Sequence, residues 1–186
     1  ALLDEAEERA RAVVREKNPS LSDAEQEHIA RVVGIGAVKY GDLLQNRTAD
    51  YRFSWDKMLA FDGNTAPYLQ YVYARIRSIF RRGELEHWRP EPGMVVRLEA
   101  PEELDLVKQM IRFADVLLEV ERGSRPNVLV SFLYELATKF NMFYQAQPIL
   151  KAAADIRPTR LLLCDVTARY LKTGLGLLGI ETLEAM

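Results

Sequence analysis

Between Tyr68 and Arg82 the chain reads YLQYVYARIRSIFRR, a stretch with three tyrosines, four arginines and no acid. The flat side chains are Tyr68, Tyr71 and Tyr73, and the cations are Arg75, Arg77, Arg81 and Arg82. Tyr71 and Arg75 are four residues apart, the spacing that places two side chains on one face of a helix. An aromatic plate beside a guanidinium supplies a stacking surface and charged donors. An unpaired nucleic-acid base and its phosphate require both. The plain alternative is a helix with core tyrosines and a solvated arginine face.

No other group of residues reads as a reaction centre, so no catalytic residue and no metal ligand is assigned. His28 and His87 are isolated, and no run of His, Cys and carboxylates has metal-ligand spacing. There is no GxxxxGK followed by Ser or Thr to cradle phosphate, and no serine in a GxSxG turn. Gly34-Ile35-Gly36 lacks a third glycine and follows a helix signal rather than a strand, so it is not a dinucleotide loop. The single cysteine, Cys164, lies in the apolar run LLLCDV. It reads as a buried small hydrophobe, and one cysteine excludes an internal disulfide framework and fits a reducing cytoplasm.

At 186 residues the chain is long enough for one or two domains with a real core. Hydrophobic residues make up 48% and charged residues 28%, the balance of a soluble globular protein. No apolar run approaches the ~18 residues of a membrane span, and the start carries no secretory signal pattern. Ala1 is not an initiator, so a trimmed or processed chain is expected. The net charge of −2 argues against a uniformly basic binder, but its distribution is uneven. Lys39–Arg82 carries eight cations against four acids, and Gly83–Glu121 four cations against ten acids. A basic block followed by an acidic one assigns one face to a polyanion and another to solvent.

These side chains need elements to hold them. Leu3, Ala6, Ala10, Val13 and Val14 recur at helical spacing over Leu2–Lys17, and Asn18-Pro19 ends that helix. Ser22 with Glu25 forms a capping box for a second helix through Ile29, Val32, Val33, Ile35, Val38 and Leu43. Gly34 and Gly36 within it call for close packing on a neighbour. Tyr51-Arg52-Phe53 reads as a short extended connection and Trp55–Leu59 as one helical turn. Asn64 or Thr65 caps the central helix, Pro67 suits its first turn, and Gly83 closes it through positive φ. The loop Gly83–Ala100, with Pro90, Pro92 and Gly93, is the candidate flexible region. A long third helix is expected from Pro101 to Gly123, burying Leu104, Val107, Ile111, Ala114 and Leu118. Pro126 opens another, with Leu129, Phe132, Leu133, Leu136, Phe140 and Phe143 inward, which Pro148 breaks. Pro158 opens the last, with Leu161, Cys164, Ala168, Leu171, Leu175 and Leu178 inward, and Gly179 caps its end. The fold class is all-α, a helical bundle.

The run VGIGAVKYGDLLQNRTADYRFSWDKMLAFDGNTAPYLQYVYARIRSIFRR, together with FLYELATKFNMFYQAQPIL and RLLLCDVTARYLKTGLGLLGIETLEAM, resembles arginyl-tRNA synthetases. The opening LLDEAEERARAVVREKNP fits the segment before these motifs, so the resemblance covers essentially the whole chain. It implies residues 1–60 as a helical segment following a catalytic fold. It implies residues 61–186 as the anticodon-binding bundle of class I aminoacyl-tRNA synthetases, called the DALR domain. The adenylation signatures HIGH and KMSKS do not occur here. The implied reading is therefore the tRNA-binding part of an arginine–tRNA ligase, inactive alone. ATP and magnesium would belong to the missing catalytic domain, and no cofactor to this chain. The implied partners are arginine tRNA and that catalytic domain. The expected state is a cytoplasmic monomer without membrane contact.

The same resemblance assigns site residues. Arginine anticodons share a middle cytosine, whose flat face stacks and whose edge hydrogen-bonds. Tyr71, Arg75, Tyr144 and the terminal Met186 would line its pocket, Met186 by apolar contact or its chain-end carboxylate. The alternative for Tyr144 is a core position like Phe140 and Phe143. Arg77, Arg81 and Arg82 are secondary candidates for backbone contacts. Lys39 and Arg47, with Tyr40 and Asn46 in the GAVKYGDLLQNR motif, would be partly structural and partly phosphate-contacting. A competing class of function is a helical protein-interaction module docking through its basic helix.

Overall fold

Proline and short polar side chains set most helix starts, and the structure, a computed structural model, describes residues 2–46 and 53–186. In order, the helices are α1 (Leu2–Lys17), α2 (Asp23–Leu44), α3 (Trp55–Met58) and α4 (Ala66–Arg82). They continue with α5 (Pro101–Met110), α6 (Phe113–Gly123), α7 (Pro126–Ala146) and α8 (Arg157–Leu177). The described residues include no strand. Arg47, Arg52 and the proposed extended connection at Tyr51 lie outside the described residues.

At the start of α2, the Ser22 hydroxyl accepts from the Glu25 backbone N–H while the Glu25 carboxylate accepts from that of Ser22. The Ser22 hydroxyl also donates to that carboxylate (2.6 Å), and this bond, followed by the one from the Ser22 backbone, holds the Glu25 carboxyl below its ordinary range. α1 and α2 then pack as an antiparallel pair. A Cβ on Gly34 would stand 2.6 Å from the Ala6 carbonyl oxygen, so only glycine admits this approach. Ala10 and Val14 of α1, Ile29, Val32 and Val33 of α2, and Leu183 near the chain end form one apolar cluster. Val13 is only half-buried and Leu3 is exposed.

A larger cluster is built around α7, which touches α2, α4, α5, α6 and α8. Leu129, Phe132, Leu133, Leu136, Phe140 and Phe143 of α7 are all buried. Each such side chain contributes about 1.5–3 kcal/mol on leaving water. Cys164 is buried in this cluster, and burial pushes its thiol up. The Tyr40 hydroxyl, buried, donates to the Asn64 side-chain oxygen (2.6 Å), tying α2 to the turn before α4.

Two expectations are corrected. The third long helix is two, α5 and α6, broken at Ile111-Arg112. Most of its expected buried stripe faces outward, with Leu104 44%, Ile111 71% and Leu118 47% exposed, and Val107 alone packs against the core. The buried face instead carries Glu103, Leu106, Gln109 and Met110, followed by Val116. Two of those residues are polar, so hydrophobic periodicity pointed the wrong way. Glu103 accepts from the backbone N–H groups of Glu99 and Ala100 and from the Arg160 guanidinium (2.8 Å). Burial disfavours the Glu103 charge, but these donors prevail and hold its carboxyl below the ordinary range. Gln109 donates to the Phe132 carbonyl. The second correction concerns Gly83, which has φ −90° and ends α4 without positive φ. Glu84 takes the left-handed turn instead, at φ 55°. The loop that follows is anchored, with the Arg97 backbone N–H on the Thr159 hydroxyl and its guanidinium on Asp155.

Candidate nucleic-acid interface

α4 begins where the Thr65 hydroxyl accepts from the Tyr68 backbone N–H. The helical period then sorts its side chains onto three faces. Leu69, Val72, Ile76 and Phe80 enter the core. Gln70, Tyr73, Arg77 and Arg81 face the segment Gly179–Met186, which runs past α8. Tyr71, Arg75, Ser78 and Arg82 line an open groove.

The groove encloses about 490 Å³. Tyr144 of α7 and Met186 also line it. Arg75 carries its guanidinium carbon 4.6 Å from the Tyr71 ring centre and 5.4 Å from that of Tyr144. One guanidinium nitrogen donates to the Tyr71 hydroxyl (2.8 Å), another to the Asn141 side-chain oxygen (2.9 Å). The Asn141 amide donates to the Tyr68 hydroxyl (2.8 Å), which fixes the orientation of the amide. Tyr144 is half-buried and stacks on Phe140, with centroids 6.1 Å apart and planes at 22°. One side of its ring thus belongs to the core and the other faces the groove. Phe140 and Phe143 are fully buried, so Tyr144 differs from both. No Asp or Glu side chain lines the groove among the described residues, whereas Arg75, Arg81 and Arg82 do. Planar surfaces, guanidinium donors and a positive field therefore meet in one place.

The structure thus brings together Tyr71, Arg75, Tyr144, Met186, Arg81 and Arg82. Arg82 also donates to the Ser78 carbonyl in its own helix. Arg77 is placed elsewhere. Its Nε donates to the Glu184 carboxylate at 2.7 Å, beside a separate charged cleft containing Tyr73, Arg89, Arg169 and Lys172. Burial works against the Arg77 charge, but Glu184 raises its pKa on balance. Arg81 donates to the Glu184 carbonyl (2.8 Å), so it both lines the groove and holds the tail. Lys39 donates to the Gly179 carbonyl (2.5 Å) in a groove with His28 and Arg31. Arg47 lies outside the described residues.

Sequence reasoning missed Asn141 and Glu184. Asn141 stands three residues before Tyr144, a spacing that shares a helix face, and that signal was available. Nothing local marked Glu184 as the partner of a residue 107 positions away. The tail itself is held by Ile180 and Leu183, both buried. Gln70, buried in α4, adds a hydrogen bond to the Glu181 carbonyl (2.8 Å).

Residues 69–186 match the family described as the DALR anticodon binding domain. Residues 1–55 match the catalytic domain of class I (R) tRNA synthetases. The chain is 54% identical over 185 residues to the arginine–tRNA ligase of Laribacter hongkongensis and 51% identical to that of Chromobacterium violaceum. It spans 32% of the length of each of these relatives, which cover all of it. Among solved structures, Thermus thermophilus arginyl-tRNA synthetase superposes with a TM-score of 0.89 at 34% identity. Plasmodium falciparum arginyl-tRNA synthetase gives 0.84 at 28% identity. Each superposition covers the whole chain, and 32% and 33% of the respective solved chain.

Proposed function

Since the chain belongs to the DALR anticodon-binding domain family, we propose that it reads the anticodon of arginine tRNA for an arginine–tRNA ligase. The observation that carries this reading is Arg75, set between the rings of Tyr71 and Tyr144 in a groove free of acidic side chains among the described residues. An unpaired middle cytosine entering there stacks on a tyrosine ring, while the guanidinium swings to its edge or phosphate. The Asn141 amide and the end of the chain at Met186 supply further polar groups. The cytosine amino group donates to one of these acceptors. In this reading ATP and magnesium act in the part of the ligase that corresponds to the remaining length of the relatives, and arginine is attached there.

The alternative of a protein docking face on the basic helix has little support. Arg77 and Arg81 of that helix are engaged by the chain's own tail. Filter binding of arginine tRNA tests the proposal, with a middle-base variant as the comparison. Arg75→Ala and Tyr144→Ala should each weaken cognate binding by about 1–3 kcal/mol, the range for one lost base-stacking contact. Affinity should fall steeply with salt, because bound RNA releases counterions. Wild-type affinity in both folded variants would refute the assignment.

A further inference from the structure

Tyr71 and Met186 are walls shared by two grooves. On one side lies the cationic base groove. On the other lies an apolar groove of about 350 Å³, within the size range of small-molecule sites. Val14 and Lys17 of α1, Asn18 just beyond it, Ile29 of α2 and Phe61 complete it. Phe61 is half-buried and Tyr71 is 38% exposed, so both rings have surface to offer. Lys17 holds its ammonium 5.6 Å from the Phe61 ring centre, at the last turn of α1. The arrangement repeats that of the first groove: a flat ring with a cation beside it. The cation here is a point charge, suited to phosphate rather than to a base edge.

We propose that this groove is a second base subsite, taking the unpaired nucleotide adjacent to the one held by Arg75 and Tyr144. The proposal rests on the anticodon-reading function above. One strand passes over the Tyr71–Met186 wall, and its two neighbouring bases separate to either side. The second base lies on Phe61, and Lys17 meets the phosphate. An RNA base fits better than an apolar peptide because the groove continues into the cationic one and carries its own cation at the rim. Its apolar lining is Val14, Ile29 and Phe61, side chains that cannot read a Watson–Crick edge, and Asn18 is its single amide. The base is therefore held mainly by its flat face, and its presence matters more than its identity.

The probe is an anticodon stem–loop RNA of arginine tRNA sequence, prepared with an abasic nucleotide at each loop position in turn. The unaltered chain should lose affinity at two adjacent positions, roughly 5- to 150-fold each. Exchanging one base for another should matter more at the first position than at the second. Phe61→Leu keeps apolar packing but removes the flat ring. It should bind the intact loop weakly and become indifferent to base removal at the second position, while still responding at the first. Lys17→Gln, an exposed change, should reduce the slope of log affinity against log salt by about 0.7. Sensitivity to base removal at one position only, or a Phe61→Leu chain that binds as the wild type does, overturns the second subsite and leaves the first intact. No measurable binding of the intact loop overturns both.

Discussion

Arg75 holds its guanidinium beside the rings of Tyr71 and Tyr144, and two hydrogen bonds keep it there. In the proposed reading an entering base displaces the guanidinium, so binding exchanges these contacts for new ones. Its planar fork is what allows one side chain to reach the Tyr71 hydroxyl and Asn141 at once. Arg75→Lys keeps the charge and loses the fork. We expect this variant to retain the salt dependence of RNA binding but to lose about 1–3 kcal/mol of discrimination between cognate tRNA and a middle-base variant. Parallel salt titrations of the two proteins on both tRNAs measure this. Unchanged discrimination would mean that Arg75 acts only as a charge.

At the scale of elements, α4 works through its two polar faces, one lining the groove and the other gripping the tail. Glu184 is the grip. Its carboxylate accepts from the Tyr73 hydroxyl (2.6 Å) and Arg77 (2.7 Å), and its carbonyl from Arg81. Burial, followed by Glu184, pushes the Tyr73 hydroxyl up to about 12. Burial also disfavours the Glu184 charge, but Tyr73 and Arg77 outweigh it and hold the carboxyl below its ordinary value of 4.5. A depressed carboxylate contributes stability that is complete above its ordinary value and is lost as pH falls through the depressed one. The tail should therefore stay docked from neutral pH to about 4.5 and loosen below it. NMR shifts of Ile180–Met186 report this, and Glu184→Gln should abolish the transition. A tail that stays docked in acid would show that Ile180 and Leu183 suffice. Deleting Met186, or adding a tag after it, should weaken middle-base discrimination with little change in helicity or melting temperature. Equal discrimination by the deletion would leave Met186 as packing alone.

On the scale of the whole molecule, α2 ties the α1–α2 cluster to the larger bundle. Tyr40 enters the larger cluster, while Ile29, Val32 and Val33 enter the smaller one. The tail spans both, with Ile180 in one and Leu183 in the other. The apolar groove at Phe61 draws its lining from α1, α2 and α4 together. The chain contains neither HIGH nor KMSKS. We expect the purified chain alone to give no arginine-dependent ATP–pyrophosphate exchange, and detectable exchange would place adenylation residues within it. No helix among the described residues is long and apolar enough to cross a membrane.

The sequence by itself determined the features that act within a turn or two of helix. The Ser22–Glu25 box, Thr65 before Pro67, Pro126 and the apolar spacing of α7 all stand where the pattern placed them. The pairing of Tyr71 with Arg75 was legible for the same reason, being a contact four residues long. Tyr144 and Met186 came from the resemblance, since neither adjoins Arg75 in sequence. Tertiary structure alone decided the partners of the polar side chains. Glu103 and Gln109 face inward because Arg160 and the Phe132 carbonyl await them, and a hydrophobicity pattern reads such positions as exposed. Arg77 differs from Arg75 because Glu184 reaches it from the chain end, whereas Asn141 meets Arg75 from α7. A charged side chain satisfies its hydrogen bonds with whatever the fold brings near. That neighbour lies 66 residues away for Arg75 and 107 for Arg77, beyond the reach of any local rule.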